Sequence, residues 1–249
     1  MQSLRSTTLL AAAPSAASPA GSGLDLLAET AAELDRRAVD ASTLLRAAIV
    51  DLLPGRICAV SSFGAESALI LALIAEIDCA TPVVFLETGK HFPETLAYRD
   101  QLIDLLGLTG VRSVVPDPAA VAAADPNGDL WSRRPDDCCL LRKVLPLEDA
   151  LSGFDAWING RKRFHGGGRA ELARVEIVDG RVKLNPLVDW SPAQVTAEFT
   201  RRQLPRHPLV AQGYLSIGCA PCTHRTSSDE PVRAGRWRGR DKAECGIHE

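Results

Sequence analysis

The chain has 249 residues, 46% hydrophobic and 24% charged, which suits one substantial core in one or two domains. With 28 Lys and Arg against 31 Asp and Glu the net charge is −3, so nothing supports a general nucleic-acid binder and basic runs must be read as local. Seven cysteines form no secreted framework, and no apolar run approaches the ~20 residues that span a bilayer.

Residues 1–24, rich in Ala, Ser and Pro with Arg5 as the one basic group, are expected to be a disordered tail; a weak targeting signal over 8–13 is the alternative. Residues 25–53 read as helix, stopped by Pro54 and Gly55. A buried strand is expected at 56–62, a helix at 68–76, a second strand at 82–86, and a helix from Pro93 to Leu105. A third strand follows at 111–115, then a short Ala-rich helix to Ala124, a helix over 138–151 interrupted at Pro146, and a strand at 154–158. The loop 159–169 interleaves glycines with Arg161, Lys162, Arg163 and Arg169. Asp179-Gly180 signals a hairpin between 175–178 and 181–184, and Ser191 with Gln194 has capping-box spacing ahead of a helix to about Gln203. Strands alternating with helices predict an α/β fold with a parallel twisted sheet and right-handed crossovers. From Leu204 on the chain is turn-rich, and 226–249 shows no periodicity.

Ser61-Ser62-Phe63-Gly64-Ala65-Glu66-Ser67 joins a strand to a helix, where free N–H groups and the helix end favour a phosphate. It lacks the Gly-Lys-Ser/Thr of a Walker loop, and a plain strand–helix turn is an equal alternative. Glu87-Thr88-Gly89, at the end of the adjacent strand, strengthens the ligand reading. Cys138-Cys139 and Cys219-x-x-Cys222 supply four thiols in two pairs, which suit an Fe–S cluster or zinc. A redox-active Cys219–Cys222 pair would leave Cys138 and Cys139 unused. Cys245 stands apart near the C-terminus, and Cys58 and Cys79 are expected to be ordinary buried cysteines.

In this order, the 61–67 run, Glu87-Thr-Gly-Lys-His-Phe-Pro93, Cys138-Cys-Leu-Leu-Arg-Lys143, Lys183-Leu-Asn-Pro-Leu-Val-Asp-Trp190, Gly213 through Cys222, Arg233-Ala-Gly-Arg-Trp237 and Glu244-Cys-Gly-Ile-His248 resemble the assimilatory adenylyl-sulfate (APS) and phosphoadenylyl-sulfate reductases. The resemblance runs from about residue 52 to the C-terminus. It implies an adenine-nucleotide α-hydrolase-like fold with a modified PP-loop, spanning 25–225, and a mobile segment 226–249. It also implies a thioredoxin-dependent oxidoreductase of sulfate assimilation, acting on a sulfur group, with a [4Fe-4S] cluster on Cys138, Cys139, Cys219 and Cys222. Cys245 would attack the sulfur of adenylyl sulfate, releasing AMP and leaving an S-sulfonate. Thioredoxin or glutaredoxin, as external donor, would then release sulfite.

On the same basis Lys143, Arg233, Arg236 and His248 would support the nucleophile. Residues 61–67, Glu87, Thr88, Gly89, Arg161, Arg163 and Arg169 would bind substrate. Lys162, Arg238 and Arg240 are assigned to the surface. The loop 161–169 departs from the run usual in the family, and the stretch from Trp237 to Glu244 is short for it. A cytoplasmic protein with neither nucleic-acid nor membrane partner is expected, with homo-oligomerisation left open. Structural zinc is the alternative for the four thiols. A phosphoadenylyl-sulfate or dual-substrate reductase is the nearest rival, although enzymes restricted to that substrate generally lack the four cysteines. A non-catalytic adenylate-binding metal or redox sensor is the rival from another class, and it would have no use for Cys245.

Overall fold

The computed structural model describes residues 23–227 and 229–248, so the tail expected over 1–22 lies outside the described residues. The helix expected over 25–53 is divided. Helix α1 spans Gly23–Arg37, and α2, Ala41–Arg46, runs on into a π-helical turn, Ala47–Leu52. The break falls at Asp40, whose carboxylate caps α2 by accepting from Thr43 N at 2.7 Å.

Strand β1 (Ile57–Val60) leads to α3 (Ser67–Ala75), a helix apolar on every side and buried from Ala68 to Ile74. There follow β2 (Val83–Leu86), α4 (Pro93–Leu106), β3 (Val111–Val114), α5 (Pro118–Ala124) and α6 (Leu130–Arg133). The expected break at Pro146 does not occur. Helix α7 (Pro135–Cys139) continues through a π-turn, Leu140–Val144, into α8 (Leu145–Leu151); Leu145 N donates to the Leu140 carbonyl across the widened turn, and Pro146 falls in the first turn of α8. Strand β4 (Ala156–Ile158), the hairpin β5 (Val175–Val178) and β6 (Arg181–Leu184), and α9 (Pro192–Arg201) with its Ser191–Gln194 capping box complete the order.

The six strands lie in the order β3-β2-β1-β4-β6-β5, all neighbours parallel except the β5–β6 hairpin. Strands β2 and β4 flank β1 on opposite sides, so the connections leaving β1 and β4 diverge. An open α/β sheet holds its ligand in the crevice at such a point. The loops leaving those two strands are 61–66 and 159–169, the ones singled out from the sequence. Among the described residues no helix is long and apolar enough to cross a membrane.

Candidate active site

The loop after β1 is folded tightly. Phe63 adopts a left-handed backbone (φ 47°), which costs about 1–3 kcal/mol for a residue with a side chain. Its ring is fully buried and packs edge-on against Phe85, with centroids 5.5 Å apart. Ser61 Oγ accepts from Phe63 N at 3.2 Å and Ser67 Oγ from Gly64 N at 2.9 Å. A Cβ on Gly64 would lie 3.0 Å from the carbonyl oxygen of Ile217, so glycine lets the loop meet the strand of chain before Cys219.

This loop, the loop after β4, Lys143 and the C-terminal segment enclose a cavity of about 200 Å³. Its wall is crowded with cations. Arg161 pairs with Glu176 at 3.1 Å, and Lys162 with Glu66 at 2.8 Å. His165 Nε2 lies 3.2 Å from the same Glu66 carboxylate. Burial would raise the Glu66 pKa, but His165 and Lys162 more than offset it and hold the group at about 2. Arg169 and Arg233 share Glu244, at 2.6 and 3.1 Å. Burial, with the neighbouring Arg169 charge, pulls the Arg233 pKa down to about 10. Among the described residues no carboxylate pairs with Lys143 or Arg236, and Arg236 Nε is buried without a hydrogen-bond partner.

A second, smaller cavity of about 20 Å³ is ringed by Cys138, Cys139, Cys219 and Cys222. Pro135 starts the helix that carries the first pair; of the second pair, Cys219 precedes the 3₁₀ turn Ala220–Cys222 and Cys222 ends it. The two are tied through Thr88: its hydroxyl lies 3.3 Å from Cys219 Sγ, and its carbonyl accepts from Arg142 Nη1 at 2.8 Å. Arg142 also forms a buried pair with Asp125 at 2.7 Å. Burial pushes the Cys139 thiol up to about 12 and raises Cys138 and Cys222 as well. At Cys219 burial is outweighed by the Lys143 ammonium, the Thr88 hydroxyl and Arg236, and the pKa falls. Among the described residues no three or more His, Cys, Asp or Glu side chains close tightly enough on a point to hold a single metal ion. Lys143, Arg236 and Trp237 line both cavities and form the partition between them.

The segment after Cys222 folds back onto this partition. Trp237 N donates to the Cys222 carbonyl at 3.1 Å, and Thr223 bridges to Arg236. Trp237 is buried at φ 47° under the Arg236 guanidinium, 4.5 Å from its ring centroid. Cys245 is buried against Cys139 and Trp237 and faces the larger cavity. His248 stacks on Trp157 with the rings 7° from parallel, and its carbonyl accepts from Lys183 Nζ at 3.1 Å. Burial, then the charges of Arg161 and Lys183, hold the His248 pKa well below the ordinary value, so the ring is neutral.

The structure brings Ser61, Ser62, Gly64, Ala65, Glu66, Ser67, Lys143, Arg161, Arg169, Arg233, Arg236, Cys245 and His248 around one cavity. It does not bring Phe63, Glu87, Thr88, Gly89 or Arg163 there. Phe63 is in the core, Thr88 braces Cys219, and Gly89 lies against Arg142. Glu87 accepts from Gly89 N, while Arg163 turns outward to Asp189. Lys162, assigned to the surface, is 1% exposed and forms part of the cavity wall. Its ammonium folds back onto the Gly160 carbonyl at 2.9 Å and onto Glu66, contacts that a run of basic residues does not announce. His165 and Asn159 also line the cavity and went unremarked. Arg240 is half-buried over Trp131, whereas Arg238 is exposed. Cys79, expected to be buried, is exposed, while Cys58 is fully buried.

Residues 56–225 match the family described as the phosphoadenosine phosphosulfate reductase domain. An adenosine 5'-phosphosulfate reductase from Mesorhizobium japonicum is 49% identical over 198 residues, 80% of this chain and 78% of that protein. The crystal structure of phosphoadenylyl-sulfate reductase from Candida auris, a phosphate complex, is similar with a TM-score of 0.67 at 27% identity, over 79% of this chain and 97% of that one. FMN adenylyltransferase from Candida glabrata, in complex with ATP, shares the fold alone: its TM-score is 0.53 at 13% identity, over 89% and 83% of the two chains.

Proposed function

The chain belongs to the phosphoadenosine phosphosulfate reductase domain family, and on that premise we propose that it reduces adenylyl sulfate to sulfite and AMP in sulfate assimilation. The observation that carries the reading is Cys245, a thiol in the wall of a cation-rich cavity beside Lys143 and Arg236. The Cys245 thiolate attacks the sulfuryl sulfur. The S–O bond to the AMP phosphate breaks, and AMP leaves with the bonding electrons. The product on the protein is a cysteine S-sulfonate. One thiol of thioredoxin or glutaredoxin then attacks Cys245 Sγ, expelling sulfite with the electron pair. The donor's second thiol resolves the mixed disulfide, restoring Cys245 and leaving the donor oxidised.

The division of charge supports this assignment. Arg161, Lys162, Arg169 and Arg233 already have carboxylate partners, whereas Lys143 and Arg236 do not. Cations in the wall without a carboxylate partner are the ones able to stabilise oxygens that gain charge during transfer. Lys143 and Arg236 fill that role, with the remaining cations positioning the nucleotide phosphate. Segment 226–249, read from the sequence as mobile, carries Cys245 in the cavity wall, and its movement would accompany exchange of nucleotide. The reading places the protein in the cytoplasm, with an external dithiol as partner.

The donor set of four thiols around the smaller cavity supports a [4Fe-4S] cluster as the group held there. Two pairs of thiols line one enclosed space, and Thr88 and Lys143 stand ready to support a Cys219 thiolate. Cys138, Cys139, Cys219 and Cys222 would hold it. When bound, it supplies a charged, thiolate-ligated group next to the partition. Iron and acid-labile sulfide are expected in equal amounts; stoichiometric zinc in anaerobically purified protein contradicts the assignment.

The function is tested by Cys245→Ser, which is expected to abolish sulfite formation while AMP binding persists. A sensor that never used this thiol would be unaffected, and undiminished turnover by the variant would overturn the mechanism.

A further inference from the structure

The carboxylates that hold the cavity's cations come from two sources. Glu176, on β5, and Glu66, in the β1–α3 loop, belong to the body of the fold. The partner of Arg169 and Arg233 is instead Glu244, on the C-terminal segment beside Cys245. Arg169 grips it twice, Nε to Oε1 at 2.6 Å and Nη2 to Oε2 at 3.0 Å. Arg233 Nη2 reaches Oε2 at 3.1 Å. The three side chains are only 11%, 15% and 18% exposed for Arg169, Arg233 and Glu244. Burial would raise the Glu244 pKa, but its hydrogen bonds and charge contact with Arg169, aided by Arg233, win and keep it ionised.

Two buried guanidiniums closing on a pair of oxygens form a receptor for an oxyanion. Leaving two largely buried guanidiniums side by side without an anion is costly, and while the cavity is empty Glu244 supplies that anion. We infer that Glu244 is a stand-in for the substrate's own oxyanion: it holds Arg169 and Arg233 while the cavity is empty and yields them when a phosphate or sulfate group enters. This rests on the sulfonucleotide reading above. The exchange keeps the cavity's charge matched at each stage. Because Cys245 is the next residue, it also links occupancy of the cavity to the placement of the thiol. His248 anchors the far side of Cys245 through Lys183 and Trp157, so Glu244 can let go without the segment leaving.

The test is calorimetric binding of AMP, and separately of inorganic sulfate with AMP present, to the full chain carrying its metal group. Glu244→Gln and Glu244→Asp are compared with the parent. Gln lacks the charge that holds the arginines, so it should tighten the displacing anion roughly five- to twentyfold. A gain for AMP identifies the phosphate as that anion, and a gain for sulfate the sulfuryl group. Glu244→Asp should stay within about twofold of the parent, because the competing charge remains. Glu244→Ala must move in the same direction as Gln, which covers a Gln variant that folds poorly. Unchanged or weaker affinity for both anions in the uncharged variants, with AMP bound by the parent, overturns the exchange and leaves the reductase reading in place. Absence of AMP binding by the parent overturns both.

Discussion

Two glycines, Gly218 and Gly235, show how closely single residues are fitted at this site. A Cβ on Gly218 would fall 2.2 Å from Arg236 Nη2 and 2.6 Å from its Cζ. The obstacle is the end of a flexible side chain, so the fold survives by moving the guanidinium off the partition. A Cβ on Gly235 would fall 2.2 Å from the His224 carbonyl oxygen, which is backbone and cannot swing away. Gly218→Ala should therefore lower kcat at least about tenfold, the scale for losing a transition-state cation, with Tm little changed. Gly235→Ala should instead lower Tm by several degrees, roughly the effect of 1–3 kcal/mol of overpacking. An unchanged kcat in Gly218→Ala, or a loss of kcat accompanied by a fall in Tm like that of Gly235→Ala, would show that Arg236 has no special part in turnover. The motif around each glycine was visible in the sequence; the reason for the glycine was not, since it depends on atoms from a separate stretch of chain.

At the scale of elements, the turn Pro208–Gln212 is tied to α4 by His207. Its Nδ1 accepts from Leu209 N at 3.2 Å, so the neutral ring carries its proton on Nε2 and donates it to Thr95 Oγ1, 3.1 Å away. Burial, weakly opposed by Glu94, lowers its pKa from 6.5 to about 4. The unfolded chain thus binds the extra proton first as pH falls. This contribution is complete above pH 6.5 and is lost on the way down to about 4, a change of about 3 kcal/mol. Urea unfolding at pH 7.5 and 4.5 should show that loss, and His207→Gln should remove most of it; identical pH dependence in the variant would refute the assignment.

Local signals served well where they were decisive: the capping box at Ser191, the Asp179-Gly180 hairpin and Pro93 at a helix start all appear. They misled where a neighbouring feature intervened, as with Asp40 capping a new helix and the π-turn carrying the chain past Pro146. Segment 205–208 reads as a turn in sequence, but the buried state of His207 depends on α4, more than a hundred residues earlier.

For the molecule as a whole, alternation of strands and helices was enough to indicate a parallel sheet. It could not give the order of strands, because the pairing of β1 with β4 joins segments about a hundred residues apart and depends on the folded core. That pairing creates the crevice, brings loop 159–169 to loop 61–66, and turns Lys162 from an apparent surface charge into the partner of Glu66. The cysteines were legible because thiols are few and their spacing is distinctive. The cations of the cavity wall were only partly so, since nothing in a basic run tells which members face inward. The return of 226–248 across both cavities, with Cys245 against the partition, makes one site of motifs scattered from residue 61 to residue 248. The function proposed for that site turns on a covalent step at one sulfur atom. Incubating the protein with adenylyl sulfate and no thiol donor, then mapping modified peptides by mass spectrometry, examines that step directly. The account predicts one sulfonate, on Cys245, removed by thioredoxin as sulfite; a sulfonate on another residue, or an unmodified protein that still forms sulfite once the donor is added, would contradict it.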